Sequence, residues 1–256
     1  MDLEPQSQIS LSRRRGLALG ALLAALLVYG AFAEHFWELP SGLDVAFYSL
    51  VVFPAFAAVI WLALPLARTG HAFLLGATGV AGLAAVGLTL LDLDSAANVA
   101  KLFCYILLGL WFLSLFEELW WIALVAVLVP WVDIWSVITG PTRYVLDEQR
   151  GFFERISVAF PNLGETATVR IGPPDILFFA LFLATAARFR LRVAWTWLAM
   201  TGFLSLTLVL AWIWEDIAGL PALPAICLGF LVPNADLLWR NVREAWRARQ
   251  EESEPV

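Results

Sequence analysis

Apolar residues along this chain gather into long runs that short polar stretches separate. The runs cover residues 16–33, 43–67, 72–91, 97–115, 119–138, 174–187, 193–213 and 221–238. A helix needs about 20 residues to cross the hydrocarbon core of a bilayer, and most of the runs approach that length, although the sixth is short. Helices are favoured because an open strand leaves its backbone groups unsatisfied in lipid. The pattern predicts an all-α, polytopic membrane bundle of about eight transmembrane helices.

Composition supports a bilayer as the solvent. The chain is 61% hydrophobic and 15% charged, whereas a soluble domain is about half apolar and a quarter charged. Many of the 13 Trp lie near the ends of apolar runs, where their amphipathic rings suit the head-group region. The net charge of −6 says little about partners. Arg residues are clustered rather than spread, so no nucleic-acid partner is expected.

The Arg clusters predict an orientation. If all eight runs span, the groups that share one side of the membrane are Arg13–Arg15, Arg68, Arg188–Arg192 and Arg240–Arg249. The positive-inside rule then makes both termini cytoplasmic, in a cell inner (plasma) membrane. The chain divides into a cytoplasmic segment 1–15, a transmembrane domain 16–238 and a cytoplasmic amphipathic tail 239–256. The long loop 139–173 lies outside, although it also carries Arg143, Arg150, Arg155 and Arg170.

Two alternatives concern the ends of the chain. Arg13–Arg15, the first apolar run and the small residues Ala31 and Ala33 also resemble a cleavable signal peptide. In the tail, Trp239, Val242 and Trp246 share one helical face, which is typical of a short interfacial helix. A frayed, charged tail is the alternative, and residues 250–256 are expected to be disordered.

The thiol and imidazole residues indicate no metal and no cofactor. Cys104 and Cys227 lie inside apolar segments, and His35 and His71 lie far apart in the chain. Two buried thiols form no disulfide framework, and metal-ligand spacing is absent.

Two membrane-embedded acids stand out. An ionised carboxylate in a bilayer costs about 2.5 kcal/mol or more, so it needs a partner, water or a function. Asp133 lies near the end of the fifth run and Asp175 at the start of the sixth. Because the chain leaves the membrane after Asp133 and returns just before Asp175, both acids lie near the same outer face. They meet if their two helices are neighbours.

A proline segment reaches the same depth. Pro221, Ala222, Leu223 and Pro224 open the eighth run, which also enters from the outer side. Prolines at a helix start remove N–H donors and leave carbonyls that can bind something else. Each feature also has a structural interpretation: a helix-end acid that reaches the interface for Asp133, a helix-dipole contact for Asp175, and a helix-start proline for Pro221 and Pro224.

Taken in order, these three features resemble the motifs of the presenilin and signal peptide peptidase family of intramembrane aspartyl proteases. Val132-Asp133 is similar to the family's YD motif, and the residues that follow, including Gly140-Pro141 and Val145-Leu146, are similar to presenilin. Gly172-Pro173-Pro174-Asp175 resembles GxGD, and Pro221-Ala222-Leu223-Pro224 matches PAL. The resemblance covers about residues 119–238, the expected catalytic half. Val132 replaces the Tyr of YD, Pro174 replaces the second Gly of GxGD, and the family typically has nine helices.

The resemblance implies an intramembrane aspartic endopeptidase that cleaves transmembrane helices or remnant signal peptides. Asp133 and Asp175 would be its catalytic acids, and Gly172 and residues Pro221–Pro224 would bind substrate. Its partners would be transmembrane substrate peptides and the lipid bilayer. A proton- or cation-coupled transporter or channel that uses the same acids, and an inactive helix-binding relative, are the alternatives.

An unwound substrate needs backbone partners. Residues 166–171 alternate in polarity and are β-prone, directly before Asp175. This segment is predicted to form a strand that binds extended substrate.

Overall fold

The computed structural model describes residues 12–138, 150–165, 168–214 and 221–253. These residues form a bundle of helices with one small β-hairpin, which confirms the all-α prediction for the membrane domain. The helices are α1 (Arg13–Phe32), α2 (Ser41–Phe47), α3 (Phe53–Ala63), α4 (His71–Leu90), α5 (Asp94–Leu113), α6 (Leu119–Ile138), α7 (Arg150–Ile156), α8 (Pro173–Arg188), α9 (Val193–Ile213) and α10 (Leu223–Ser253). A π-helical turn, Tyr48–Val52, joins α2 to α3.

Six helical stretches of the described chain are long and apolar enough to cross a membrane. They are Arg13–His35, Ser41–Arg68, His71–Leu90, Asp94–Leu113, Leu119–Ser136 and Val193–Ile213. The other two predicted spans are helical as well. Helix α8 has 16 residues, or about 24 Å, which is shorter than the roughly 30 Å of a hydrocarbon core. The count of eight spans therefore stays a prediction, whereas a multi-pass bundle is supported.

Large apolar side chains cover the outside of the bundle as well as its core. Phe56 and Phe179 are buried, while Leu50, Leu83 and Leu90 are each at least three-quarters exposed. Soluble monomers rarely expose apolar area on this scale. The exposed faces of α1 and α4 suit contact with lipid.

Helix α8 is the centre of the bundle. It packs against α5, α10, α9, α3 and α6, and its buried residues are Ile176, Phe179, Ala180, Leu181, Phe182, Leu183, Ala184, Thr185 and Ala186. A helix that is apolar all round is expected to be buried. At Gly109 of α5, an added Cβ would lie 2.5 Å from the Leu177 carbonyl oxygen, so the two helices touch backbone to backbone.

The two ends of the bundle differ. At one end, here called the hairpin end, the Tyr48 hydroxyl donates to the Phe160 carbonyl over 2.7 Å, and the Tyr29 hydroxyl donates to the Pro161 carbonyl. At the far end, the Arg188 guanidinium donates to the Leu113 carbonyl over 3.1 Å. Helices α5, α8 and α10 begin at the hairpin end, and α1, α6 and α9 finish there.

The hairpin consists of β1 (Val158–Pro161) and β2 (Thr168–Ile171), paired antiparallel. The predicted strand is therefore confirmed over residues 168–171, while its partner β1 was not foreseen. Val158, Phe160 and Ile171 are buried, so one face of the hairpin packs on the bundle and the other carries Ala159 and Arg170. Residues 166–167 lie outside the described chain.

The predicted boundary between the membrane domain and the tail at residue 239 lies within one helix and stays a prediction. Helix α10 runs without a break for 31 residues, from Leu223 to Ser253, or about 46 Å. The eighth apolar run and the tail are one helix, and residues 250–253, expected to be disordered, belong to it. Residues 1–11 and 254–256 lie outside the described chain.

Asn234 is not the interfacial residue that its position near the end of the eighth apolar run suggests. It is fully buried, its Oδ1 accepts from the Arg192 backbone N–H over 3.0 Å, and its Nδ2 donates to the Thr196 hydroxyl over 2.8 Å. These bonds tie α10 to the start of α9. The exposed Asp236 forms an ion pair with Arg192 at 2.6 Å.

Residues 139–149 lie outside the described chain. They include Arg143, whose charge bears on the orientation, and the Gly140-Pro141 and Val145-Leu146 pairs of the resemblance. Those predictions stay untested.

Candidate functional site

Three elements meet at the hairpin end of the bundle. Helix α6 packs along α10, and α8 contacts both of them. Asp133 lies near the end of α6, Asp175 lies in the first turn of α8, and Leu223 begins α10. The chain direction thus delivers two acids and one helix N-terminus to the same depth, as the order of apolar runs predicts.

Asp175 is held by the start of its own helix. Pro173 and Pro174 occupy the first two helical positions, where a backbone N–H would have no helical partner and proline fits. Asp175 is the next residue, and its Oδ2 accepts from the Gly172 N–H over 3.2 Å. The structural interpretation of Asp175 as a helix-start acid is therefore correct. Pro174 fits the second position of the helix without backbone strain.

Gly172 lets the chain pass close to this carboxyl group. A Cβ at position 172 would lie 3.2 Å from Asp175 Oδ2, tighter than an ordinary van der Waals contact. The small residue at this N-cap therefore helps to set the position of Asp175.

Asp133 is held by a different helix. Its carboxyl group accepts from the backbone N–H of Leu223, one of the amides that a helix start leaves without a partner in its own helix. Its Oδ2 is buried and has no hydrogen-bond partner within the described residues. Buried polar atoms are normally bonded, so this oxygen is an open acceptor inside the site.

The carboxyl groups of Asp133 and Asp175 interact electrostatically. Two carboxylates that interact repel each other, so the pair disfavours the state in which both acids are ionised. Each acid also lies at the positive end of a helix, Asp175 on α8 and Asp133 on α10. The arrangement therefore suits one carboxylate and one carboxylic acid.

The proline segment contributes an amide rather than a carbonyl. Leu223 contacts Asp133 through its N–H, whereas the Ala222 carbonyl accepts from the Ile226 N–H over 3.1 Å. The Ala222 carbonyl is therefore not one of the open carbonyls expected at this segment, because α10 uses it in its first turn. Pro221, Ala222 and Pro224 are half-buried beside Leu223.

Cys227 is a site residue that the sequence analysis missed. It is buried, lies four residues after Leu223 on the same face of α10, and interacts electrostatically with Asp133. The spacing of four from the proline segment is the signal that places it there.

Val132, which stands where the family has Tyr, points away from the pair. Its side chain is 62% exposed, so it does not line the space between the acids. No group of three or more His, Cys, Asp or Glu residues in the described chain has the arrangement of a metal site.

The sequence matches no protein-family model and no curated protein, and the fold matches no solved structure. Conclusions about function therefore rest on the geometry of the site.

Proposed function

We propose that this chain is an intramembrane aspartic endopeptidase of the presenilin and signal peptide peptidase type. The observation that carries the proposal is the electrostatic interaction between Asp133 and Asp175 on two helices of one bundle. The order of the three motifs and their meeting at one depth add support. The substrates are transmembrane helices or remnant signal peptides.

The chemistry needs one ionised and one protonated acid. The ionised acid takes a proton from a water molecule between the two carboxyl groups, and the protonated acid donates a hydrogen bond to the scissile carbonyl. Water attacks the carbonyl carbon, and the tetrahedral intermediate breaks its C–N bond as the amine nitrogen receives a proton. Asp133 and Asp175 are equivalent candidates for either role.

The proposed reaction requires water to reach the pair, and the hairpin end is the nearer surface. As whole residues Asp133 and Asp175 are half-buried, although Asp133 Oδ2 is itself buried. Helix α8 spans about 24 Å, less than a hydrocarbon core of roughly 30 Å. The short helix fits a thinned region of the membrane that lets water reach the acids, which supports hydrolysis inside the membrane boundary.

The open edge of β2 is the proposed docking site for an unwound substrate. The Ala159 N–H donates to Asn98 Oδ1 over 3.2 Å rather than to β2, so Ala159 and its partner Arg170 form a non-hydrogen-bonded pair. The backbone groups of Arg170, and of Thr168 two residues earlier, therefore face away from β1. No third strand covers that edge in the described chain, and it leads directly to Gly172 and Asp175.

The membrane placement follows the charge pattern. Arg13, Arg68 and Arg188 lie at the far end, opposite the hairpin. By the positive-inside rule the far end faces the cytoplasm of a plasma-membrane protein, so the hairpin and the acids face outward.

The direct test is cleavage of a reporter with a single transmembrane helix by the purified full chain. Asp133→Asn and Asp175→Asn should each lower the rate by at least about 100-fold, because each removes one partner in proton transfer. Asp92→Asn is the matched control. Asp92 is exposed, lies at the same end of the bundle and has a φ of 55°, which Asn tolerates, so its rate should stay unchanged.

Three other results would contradict the proposal. Proton or cation flux that depends on the two acids, without proteolysis, would identify a transporter or channel. Capture of helices without cleavage or flux would identify a helix-binding protein. Equal activity of all three variants would exclude the acids from the chemistry.

A further inference from the structure

A polar cavity separate from the two acids lies between α1, α5 and the face of the hairpin that carries Ala159 and Arg170. It has a volume of about 240 Å³, below the roughly 300–1,000 Å³ of pockets for drug-sized ligands. Its wall carries charges of both signs: Lys101, Arg170, Glu34, Asp94 and Glu154. The cavity is thus sized for a small charged group.

Lys101 is the only lysine of the chain, and it is half-buried in this wall. Lys101 interacts electrostatically with Asp94 and Arg170, but within the described residues it forms no hydrogen bond or ion pair. An ammonium group on a half-buried residue loses part of its hydration, which is unfavourable without a close anionic partner. A ligand that supplies an anion next to Lys101 removes this cost.

Arg170 is fixed in place beside the cavity. One of its terminal nitrogens donates to the Glu154 backbone carbonyl over 2.9 Å and to the Ser157 hydroxyl over 3.4 Å. A guanidinium group has five N–H donors, so others remain for a ligand. Asn98 uses its Oδ1 for the Ala159 N–H and therefore offers its NH₂ group to the same space.

The charges are arranged by depth. Asp94 and Glu34 are exposed at the hairpin end, where α5 begins and α1 has just finished. Lys101 lies seven residues further along α5, or about 10 Å deeper into the bundle, and Arg170 lies at the depth of Asn98. Glu154 lies beside Arg170, but of the other four charges the cations Lys101 and Arg170 lie nearer the bundle centre and the carboxylates Asp94 and Glu34 lie further out. A zwitterionic phospholipid has the complementary order, with its phosphate nearer the hydrocarbon and its ammonium group further out.

We propose that this cavity binds the head group of a zwitterionic phospholipid, with the phosphate on Lys101 and Arg170 and the ammonium group on Asp94 and Glu34. The ligand holds the hairpin face that carries Ala159 and Arg170 against α5. The strand β2 of that hairpin leads to the acid pair. The inference does not depend on protease activity, because the site and its test are separate from the reaction.

The test measures protection of Lys101 from an amine-reactive ester, by mass spectrometry of the full chain in neutral detergent. The probe is dihexanoyl phosphatidylcholine, which has a phosphate and a quaternary ammonium but no competing primary amine. Acylation of Lys101 should become about tenfold slower when the free probe is about ten times its Kd. The N-terminal amine serves as an internal reference, and dihexanoylglycerol, without a head group, should not protect.

Three variants assign the contacts. Arg170→Gln should abolish most of the protection, and Asp94→Asn should weaken protection by the lipid but not by inorganic phosphate. Arg68→Gln, an exposed cation at the far end, should leave it unchanged. If Lys101 does not react even without ligand, the same probe should raise the unfolding midpoint of the unsubstituted chain but not of Arg170→Gln.

The outcomes that overturn the proposal are distinct. Protection by inorganic phosphate but not by the phospholipid would replace the lipid with a soluble phosphate. Equal protection in Arg170→Gln would show that detergent or lipid shields Lys101 without a site. No protection and no change in the unfolding midpoint with either probe would remove the ligand altogether.

Discussion

Asp133 and Asp175 each lie at the positive end of a helix, which stabilises the negative charge on whichever of the two acids is ionised. Asp175 accepts from Gly172 at the start of α8, and Asp133 accepts from Leu223 at the start of α10. Neither residue that departs from the motifs of the resemblance disturbs the local geometry. Pro174 fits the first turn of a helix, and Val132 points away from the acids.

At the residue scale, Gly172→Ala should reduce cleavage with little loss of folded protein. The added Cβ would lie 3.2 Å from Asp175 Oδ2, so the carboxyl group must move by a few tenths of an ångström. A misplacement of 1 Å can cost about 100-fold in rate, so we expect a loss of about tenfold or less.

Gly70→Ala is the matched control. Gly70 is also a helix N-cap with similar extended backbone angles, and a Cβ there meets nothing within 4 Å. Rates of reporter cleavage and thermal unfolding of both variants check the prediction. Equal rates for the two variants would show that Gly172 has no role in placing Asp175.

At the scale of elements, the hairpin and α8 act together. The buried face of the hairpin packs on the bundle, and β2 continues through Gly172 into α8. The strand β2 is therefore connected through one residue to the helix that carries Asp175. The continuous α10 couples to the same site through its first residue and to α9 through Asn234.

Thr168→Pro should lower cleavage about three- to tenfold if substrate pairs with β2. Thr168 is exposed, and its N–H faces the open edge, where proline is tolerated. The change removes one backbone hydrogen bond to substrate, worth about 0.5–1.5 kcal/mol. Val169 is a poorer place for such a test, because it pairs with Phe160 inside the hairpin.

Thr168→Ala is the control, since it shortens the side chain and keeps the N–H. Initial rates with one helical reporter, compared at equal amounts of folded protein, separate the two variants. If both lose activity equally, the side chain matters and the open edge does not bind substrate.

At the scale of the whole molecule, the bundle is built around α8. Its residues are buried on all sides, while the outer helices turn apolar side chains outward. The long outer helices therefore meet lipid, and the short central helix meets protein. This division lets an acid-bearing helix of 16 residues remain in the bundle without spanning the bilayer alone.

Gly109→Ala should destabilise the whole bundle by about 1–3 kcal/mol, the usual range for overpacking. Its Cβ would meet the Leu177 carbonyl oxygen at 2.5 Å and the Ala180 side chain at 2.9 Å, so α5 and α8 must separate. Gly87→Ala on α4 is the control. A Cβ there has open space, and replacing glycine within a helix should stabilise by about 0.5–1 kcal/mol.

Unfolding in detergent, followed by tryptophan fluorescence, measures both changes. A midpoint for Gly109→Ala at or above that of the unsubstituted chain would contradict the close packing of α5 and α8.

The order of apolar runs by itself determined the bounds of seven long helical stretches within a few residues, the start but not the end of α10, and the end of the bundle at which Asp133 and Asp175 lie. These features are local or follow from chain direction, so periodicity and length are sufficient to predict them. The strand at residues 168–171 was also predictable from its alternation.

The tertiary structure determined which residues contact one another. Several features depend on residues that are distant in sequence. They are the contacts of the Leu223 amide and of Cys227 with Asp133, the burial of Asn234, the partner strand β1 and the cavity at Lys101. Such contacts depend on which helices pack together and on their rotation about their axes. When helices are apolar on every side, a hydrophobic pattern predicts neither their packing partners nor their rotation. The faces toward lipid and toward protein then carry the same types of residue.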